Sequence, residues 1–254
     1  MNTTIIVSLL LVIITTALLL IVQRTSTNVI PGQKISNRDP TFIIAGPPNS
    51  GKTSLFTLLT TDTIKATVMS QEPNVAADYM LPSAAKSFKF KLMDFPGHIK
   101  LRYQLFETLK ESSSIKGLIF VVDSTVDPQK LTETAEFLYE ILTITERNPE
   151  GVDILIACNK CESFTARPPA KIRDALEKEI GKIVERKMKS LSSVKTQLDA
   201  NADEKDADND ALELNSSHGF KFDALDGNIV AMEGSVLKQN IDKWDCWIDE
   251  RAVN

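Results

Sequence analysis

Apolar positions along this 254-residue chain fall into two regimes. From Ile5 to Val22 the run carries no charge and is broken only by Ser8, Thr15 and Thr16. A helix of that length rises about 27 Å, roughly the hydrocarbon thickness of a bilayer. A cleaved signal peptide would show a basic leader, a shorter apolar core and a small-residue cleavage site. Here Met1–Thr4 has no basic side chain, and Gln23-Arg24 follows the apolar run directly. The pattern predicts an uncleaved transmembrane anchor over 1–23. Arg24, Lys34 and Arg38 all lie on its C-terminal side, which places that side in the cytosol. Pro31, Gly32 and small polar residues then predict a short tether over 24–39.

From Thr41 onward, short solid apolar runs alternate with stretches of helical spacing. Strands are predicted at Thr41–Ala45, Lys89–Met93, Gly117–Val122, Asp153–Cys158 and Asn228–Met232. Helices are predicted at Lys52–Thr60, Pro128–Arg147, Ala170–Leu191 and Val236–Ile248; the second repeats Leu131, Ala135, Leu138, Ile141 and Leu142 at spacings of three and four. Strands that alternate with helices in this way make an α/β domain, a mostly parallel sheet covered on both faces, over 40–254.

Charge changes this picture only locally. The formal net charge is -5. Between Leu198 and Ser216 seven acids (Asp199, Asp203, Glu204, Asp206, Asp208, Asp210, Glu213) face one base, Lys205, so this stretch alone carries a net -6. The rest of the chain is near neutral, which gives no nucleic-acid footprint and no direct nucleic-acid partner. With so few apolar side chains, an acidic insert at about 195–217 is expected to be a solvated, disordered loop. Three cysteines give no disulfide framework. Cys158 and Cys161 form a C-x-x-C, but only His98 and His218 could complete a zinc site.

Three motifs carry the chemistry. Gly46-Pro47-Pro48-Asn49-Ser50-Gly51-Lys52-Thr53 is a complete G-x-x-x-x-G-K-[ST] between a predicted strand and a predicted helix. In that setting backbone amides wrap the phosphates of a nucleotide, Lys52 reaches the β- and γ-phosphates, and the Thr53 hydroxyl coordinates Mg²⁺. Asp94-Phe95-Pro96-Gly97 is a D-x-x-G at the end of a strand, where Asp94 would hold Mg²⁺ and the Gly97 amide would reach the γ-phosphate. Asn159-Lys160-Cys161-Glu162 fits N-K-x-D with glutamate for aspartate. Its carboxylate would accept from the guanine N1–H and exocyclic amine, which adenine cannot reproduce, and this favours GTP.

With these motifs in order the chain resembles the beta subunits of the signal recognition particle receptor, its yeast members in particular, within the Arf/Sar-related GTPases. The resemblance rests on the N-terminal anchor, Asp94-Phe95-Pro96-Gly97-His98, the run Gly117–Ser124 and Leu155–Lys160. It implies a Ras-like P-loop GTPase fold with a mostly parallel six-stranded sheet. It also implies GTP and Mg²⁺ as ligands, single-pass residence in the endoplasmic reticulum membrane, and docking of the receptor alpha subunit's N-terminal domain. Through that partner the chain would reach the ribosome and the translocation channel. Thr67 matches the switch threonine that closes on Mg²⁺, with Ser70 as the alternative. The family's S-A-K segment should follow the last strand, where the chain reads Ala231-Met232-Glu233-Gly234, and the amide near Ala231 would contact the guanine O6. His98 stands where many GTPases have a water-orienting glutamine; it is either the catalytic residue or an exposed switch residue. The expected activity is a slow GTPase that needs a partner. An Arf/Sar-type vesicle-trafficking GTPase is the alternative, disfavoured by a permanent anchor.

Overall fold

The computed structural model describes residues 40–81, 89–112, 114–127, 131–148, 151–197 and 219–253. The expected anchor and tether, and the greater part of the acidic insert, lie outside them. Among the described residues no helix is long and apolar enough to cross a membrane.

Six strands form one sheet: β1 (Thr41–Ala45), β2 (Asn74–Met80), β3 (Lys89–Asp94), β4 (Ile115–Asp123), β5 (Ile154–Asn159) and β6 (Ile229–Glu233), in the order β2-β3-β1-β4-β5-β6. β2 runs antiparallel to β3, and every other pair is parallel. The helices are α1 (Lys52–Thr61), α2 (Arg102–Glu111), α3 (Thr132–Thr145), α4 (Pro169–Gln197) and α5 (Asp242–Val253).

Because side chains alternate across a strand, each parallel strand feeds two cores. Ile43, Leu118, Phe120, Ile154 and Ile156 face α2, α3 and α4. Phe42, Ile44, Ile119, Val121 and Leu155 face α1 and α5, where Trp244 and Trp247 are fully buried. Burial on both faces explains the unbroken apolar runs of β1, β4 and β5. The sheet's parallel strands all end on one side, at Ala45, Asp94, Asp123, Asn159 and Glu233, and each nucleotide motif leaves from one of those ends. Loops at the carboxyl edge of an α/β sheet are where such folds bind ligands.

Two elements and two helix boundaries depart from expectation. β2 has no counterpart in the apolar pattern because it is an edge strand with only Tyr79 buried. Helix α2 likewise buries just Arg102, Leu105 and Leu109, too short a stripe to read. The last helix starts at Asp242 rather than Val236, since Ser235 and Asn240 bridge to close a turn in which Gln239 takes φ 55°. Helix α4 runs on to Gln197, into the start of the expected acidic insert.

Candidate functional site

The phosphate loop joins β1 to α1. At Gly46 φ is 141°, and a Cβ there would sit 2.3 Å from the Val121 carbonyl oxygen, so no other residue fits beside β4. The loop ends at Gly51, the N-cap of α1. Lys52 is the first helical residue and is buried; its ammonium donates to the Pro47 carbonyl at 2.8 Å and so lies across the loop mouth. Burial pushes that ammonium down to about 8, against the opposing pull of Asp94. Phosphate oxygens placed in the mouth would favour the charged form. The Ser50 hydroxyl is fully buried without a hydrogen-bond partner.

The D-x-x-G segment follows β3 and closes on the same mouth. A Cβ on Gly97 would meet the Gly46 carbonyl oxygen at 2.6 Å and the Lys52 ammonium at 2.7 Å. Only glycine permits this approach. Asp94 is fully buried, and one carboxylate oxygen accepts from Thr53 Oγ1 at 2.8 Å and from Asn74 Nδ2 at 2.9 Å. Its other oxygen, Oδ1, is buried with no partner. Burial pushes the carboxyl up, while Asn74, Thr53 and Lys52 pull it down. An orphaned carboxylate oxygen beside a threonine hydroxyl is the donor set that suits a hard divalent cation such as Mg²⁺.

Ser70 belongs to this cluster. Its hydroxyl lies 3.2 Å from Thr53 Oγ1, and Asn74 Nδ2 donates to it at 3.2 Å. Thr67 lines the same cavity, but its hydroxyl is 3.1 Å from Ser54 Oγ, one residue further along α1. The structure thus brings Ser70 to the hydroxyl of Thr53, and Thr67 to that of Ser54. Removing the Ser70 hydroxyl in Ser70→Ala is expected to weaken Mg²⁺ binding to the nucleotide complex about tenfold, and Thr67→Ala roughly twofold or less. Mg²⁺ titration of fluorescent-nucleotide release measures both; the opposite order would return the role to Thr67.

The base motif is built by buried side-chain bonds. Asn159, at the end of β5, donates to the Ser50 carbonyl at 2.8 Å and accepts from the Val236 amide at 3.0 Å. One side chain therefore ties the phosphate loop to the segment after β6. Lys160, with φ 66°, donates to the Asn49 carbonyl at 3.0 Å and to the Asp123 carboxylate. Burial would raise the Asp123 carboxyl, but bonds from Lys160 and Thr125 outweigh it and hold it below the usual range. The Cys161 amide donates to the Gly234 carbonyl at 3.2 Å. Glu162 is exposed beside it, with its carboxylate open to the solvent. Cys158 is a core residue of β5, its thiol pushed up to about 12 by burial.

Ala231, expected beside the guanine O6, lies within β6. It pairs with Ile156 in mid-strand, and β6 continues to Glu233 opposite Cys158. The chain leaves the sheet only at Gly234, so the segment beside the base motif is Gly234–Val236 rather than the residues around Ala231. Its amides bond to Cys158, Asn240 and Asn159.

His98 lines the cavity and caps a 3-10 turn at Ile99–Leu101, its Nδ1 accepting from the Lys100 amide at 3.3 Å. The cavity is about 300 Å³, bounded by the phosphate loop, residues 67–70, Phe95–His98 and Lys160. No arginine lines it among the described residues. Arg102 is nearby, but its guanidinium lies 4.0 Å from the centre of the Phe137 ring and bonds to the Gly97 carbonyl. Sequence reasoning missed Asn74 and Asp123. Asn74 becomes visible only through the β2–β3 register, which sets it opposite Asp94.

A family model described as "Signal recognition particle receptor beta subunit" matches residues 37–230. The chain belongs to this family. The signal recognition particle receptor subunit beta of Saccharomyces cerevisiae is 53% identical over 253 residues, 99% of each chain. Among solved structures, that of the mammalian SRP receptor matches with a TM-score of 0.63 at 27% identity, covering 83% of this chain and 99% of that one. The SRb-GTP/SRX complex from Chaetomium thermophilum matches with a TM-score of 0.62 at 26% identity, covering 84% and 98%.

Proposed function

We propose that this family member is a membrane-anchored GTP- and Mg²⁺-binding subunit. In its GTP state it holds the receptor alpha subunit at the endoplasmic reticulum for co-translational targeting. One observation carries the reading: Thr53, Asp94, Ser70 and Asn74 form a single hydrogen-bonded cluster. Thr53 belongs to the phosphate loop, Asp94 to the segment that ends in Gly97, and Ser70 and Asn74 to the stretch entering β2. A cation held with a γ-phosphate would draw all three together, and loss of that phosphate would loosen residues 67–74 and 94–102 as a unit. The solved relatives support this, one with GTP and SRX, others with GDP and with GDP and Mg. Hydrolysis is slow in isolation, because Arg102 is committed to Phe137 and Gly97.

A nucleotide can shift the partner equilibrium only by its differential affinity for two conformations, and the partner must favour GTP by the same factor. Alpha-subunit affinity is therefore expected to be about tenfold or more higher with GTP than with GDP or no nucleotide. Equal affinity in all three states, measured by titration calorimetry on the detergent-solubilised chain, would make GTP a structural ligand. Membrane attachment rests on Ile5–Val22. Protease added to sealed microsomes should digest the GTPase domain, alkaline carbonate should leave the chain in the pellet, and a protected domain would reverse the topology.

A further inference from the structure

A second cavity lies between the end of α1, the end of β2 and the start of α5. Its volume is about 420 Å³, and it shares no lining residue with the nucleotide cavity. Leu58, Leu59, Met80 and Ile241 give it an apolar wall, while Asp62, Asp242 and Asp245 give it an acidic one. Asp249, one turn further along α5, adds a fourth carboxylate to the field at Asp245. Helix dipoles explain only part of this arrangement. Asp242 and Asp245 stand in the first turn of α5, where an acid is favourable. Asp62 is the C-cap of α1, where the dipole disfavours an anion, and no basic residue occupies that helix's last turn. Nearby cations are committed elsewhere: Lys243 pairs with Glu233, and Arg251 with Asp153 and Glu250. Burial, then Asp249, Asp242 and Asp62, push the Asp245 carboxyl up to about 6, and no base among the described residues offsets them.

A second, independent sign of a missing ligand lies behind the acids. Tyr79 of β2 is 3% exposed, yet its hydroxyl has no hydrogen-bond partner. Asp245 and Asp249 stand near enough to push that phenol further up than burial alone does. One carboxylate oxygen of each, Oδ1, is buried and unpartnered as well. All three oxygens can accept a hydrogen bond, and leaving such atoms unmatched is costly. The ligand that satisfies them is therefore a donor with positive charge. A bare metal ion does not fit, since no three acids, histidines or cysteines among the described residues are arranged to hold one. The apolar wall asks for an aliphatic group beside the charge, and Met80, 72% exposed, is the kind of adaptable side chain that receives one. A peptide segment that carries lysine or arginine next to an aliphatic residue supplies both.

We propose that this cavity is a docking site for a basic, apolar peptide segment of a partner protein. A lysine or arginine of that segment enters among Asp62, Asp242 and Asp245, and its aliphatic neighbour covers Leu58, Met80 and Ile241. The test uses the full chain in neutral-lipid nanodiscs and a probe peptide of alternating lysine and leucine that carries one benzophenone. Irradiation followed by mass spectrometry should place the probe on Met80 or on Leu58–Leu59. The double variant Asp62→Asn, Asp245→Asn should bind the probe about tenfold more weakly, and so should the wild-type chain when glutamine replaces lysine in the probe. Glu185→Gln, which removes an exposed acid of α4, should change the affinity less than twofold. Relief of the repulsion at Asp245 gives a readout that needs no probe: Asp245→Asn should raise the melting temperature of the chain by about 2–4 °C at pH 7.5. Photolabelling confined to other segments, equal affinity in the double variant, or an unchanged or lower melting temperature in Asp245→Asn would each overturn the assignment.

Discussion

Lys52→Ala is expected to lower GTP affinity by roughly a hundredfold or more, the loss of a charge-assisted contact in a buried site. The wild-type lysine is buried, and burial pushes its ammonium down to about 8. Bound phosphates favour the charged form, so the bound pKa lies higher. Between the two values binding takes up a proton. Affinity should therefore be full below pH 8 and fall as pH rises past it, by up to about tenfold per unit. The alanine variant should lose this slope together with the affinity. Equilibrium binding of fluorescent GTP from pH 7 to 9.5 tests both points. A flat wild-type profile would mean that Lys52 does not meet the phosphates.

Glu162→Asn should exchange guanine for xanthine preference, with a change in the GTP-to-XTP affinity ratio of about a thousandfold. The carboxylate is exposed beside Cys161, whose backbone is pinned to Gly234. Glutamate is one methylene longer than the aspartate of the usual motif, but its carboxylate can still accept two base donors. An asparagine amide can donate to the xanthine C2 carbonyl instead. Competition binding with GTP, XTP and ATP decides it. Unchanged preference would move base recognition elsewhere, and the segment Gly234–Val236 would then be the place to look.

How much of this was legible depends on where each signal lies. Gly46–Thr53 and Asn159–Glu162 are contiguous, and each follows a strand buried on both faces, so pattern and motif reinforce each other there. The edge strand β2 has one buried side chain, and with it went Asn74 and the choice between Thr67 and Ser70. The last strand was read as ending one residue too early beside the base, since Ala231, Met232 and Glu233 differ little in pattern. Only their pairing with Ile156, Ala157 and Cys158 shows that the chain stays in the sheet through Glu233.

By itself the sequence determined the α/β architecture, the phosphate loop, the D-x-x-G and the guanine motif, because these depend on local periodicity and on residues adjacent in the chain. Tertiary structure decided what joins them. The bond from Asn159 to Ser50 spans 109 positions and that from Lys160 to Asn49 spans 111, and no local preference encodes either. The orphaned Oδ1 of Asp94 follows from burial, which depends on how the phosphate loop and the stretch entering β2 close over it. The approach of Gly97 to Lys52 is likewise a meeting of two loops at the carboxyl ends of β1 and β3, strands that a parallel register brings side by side.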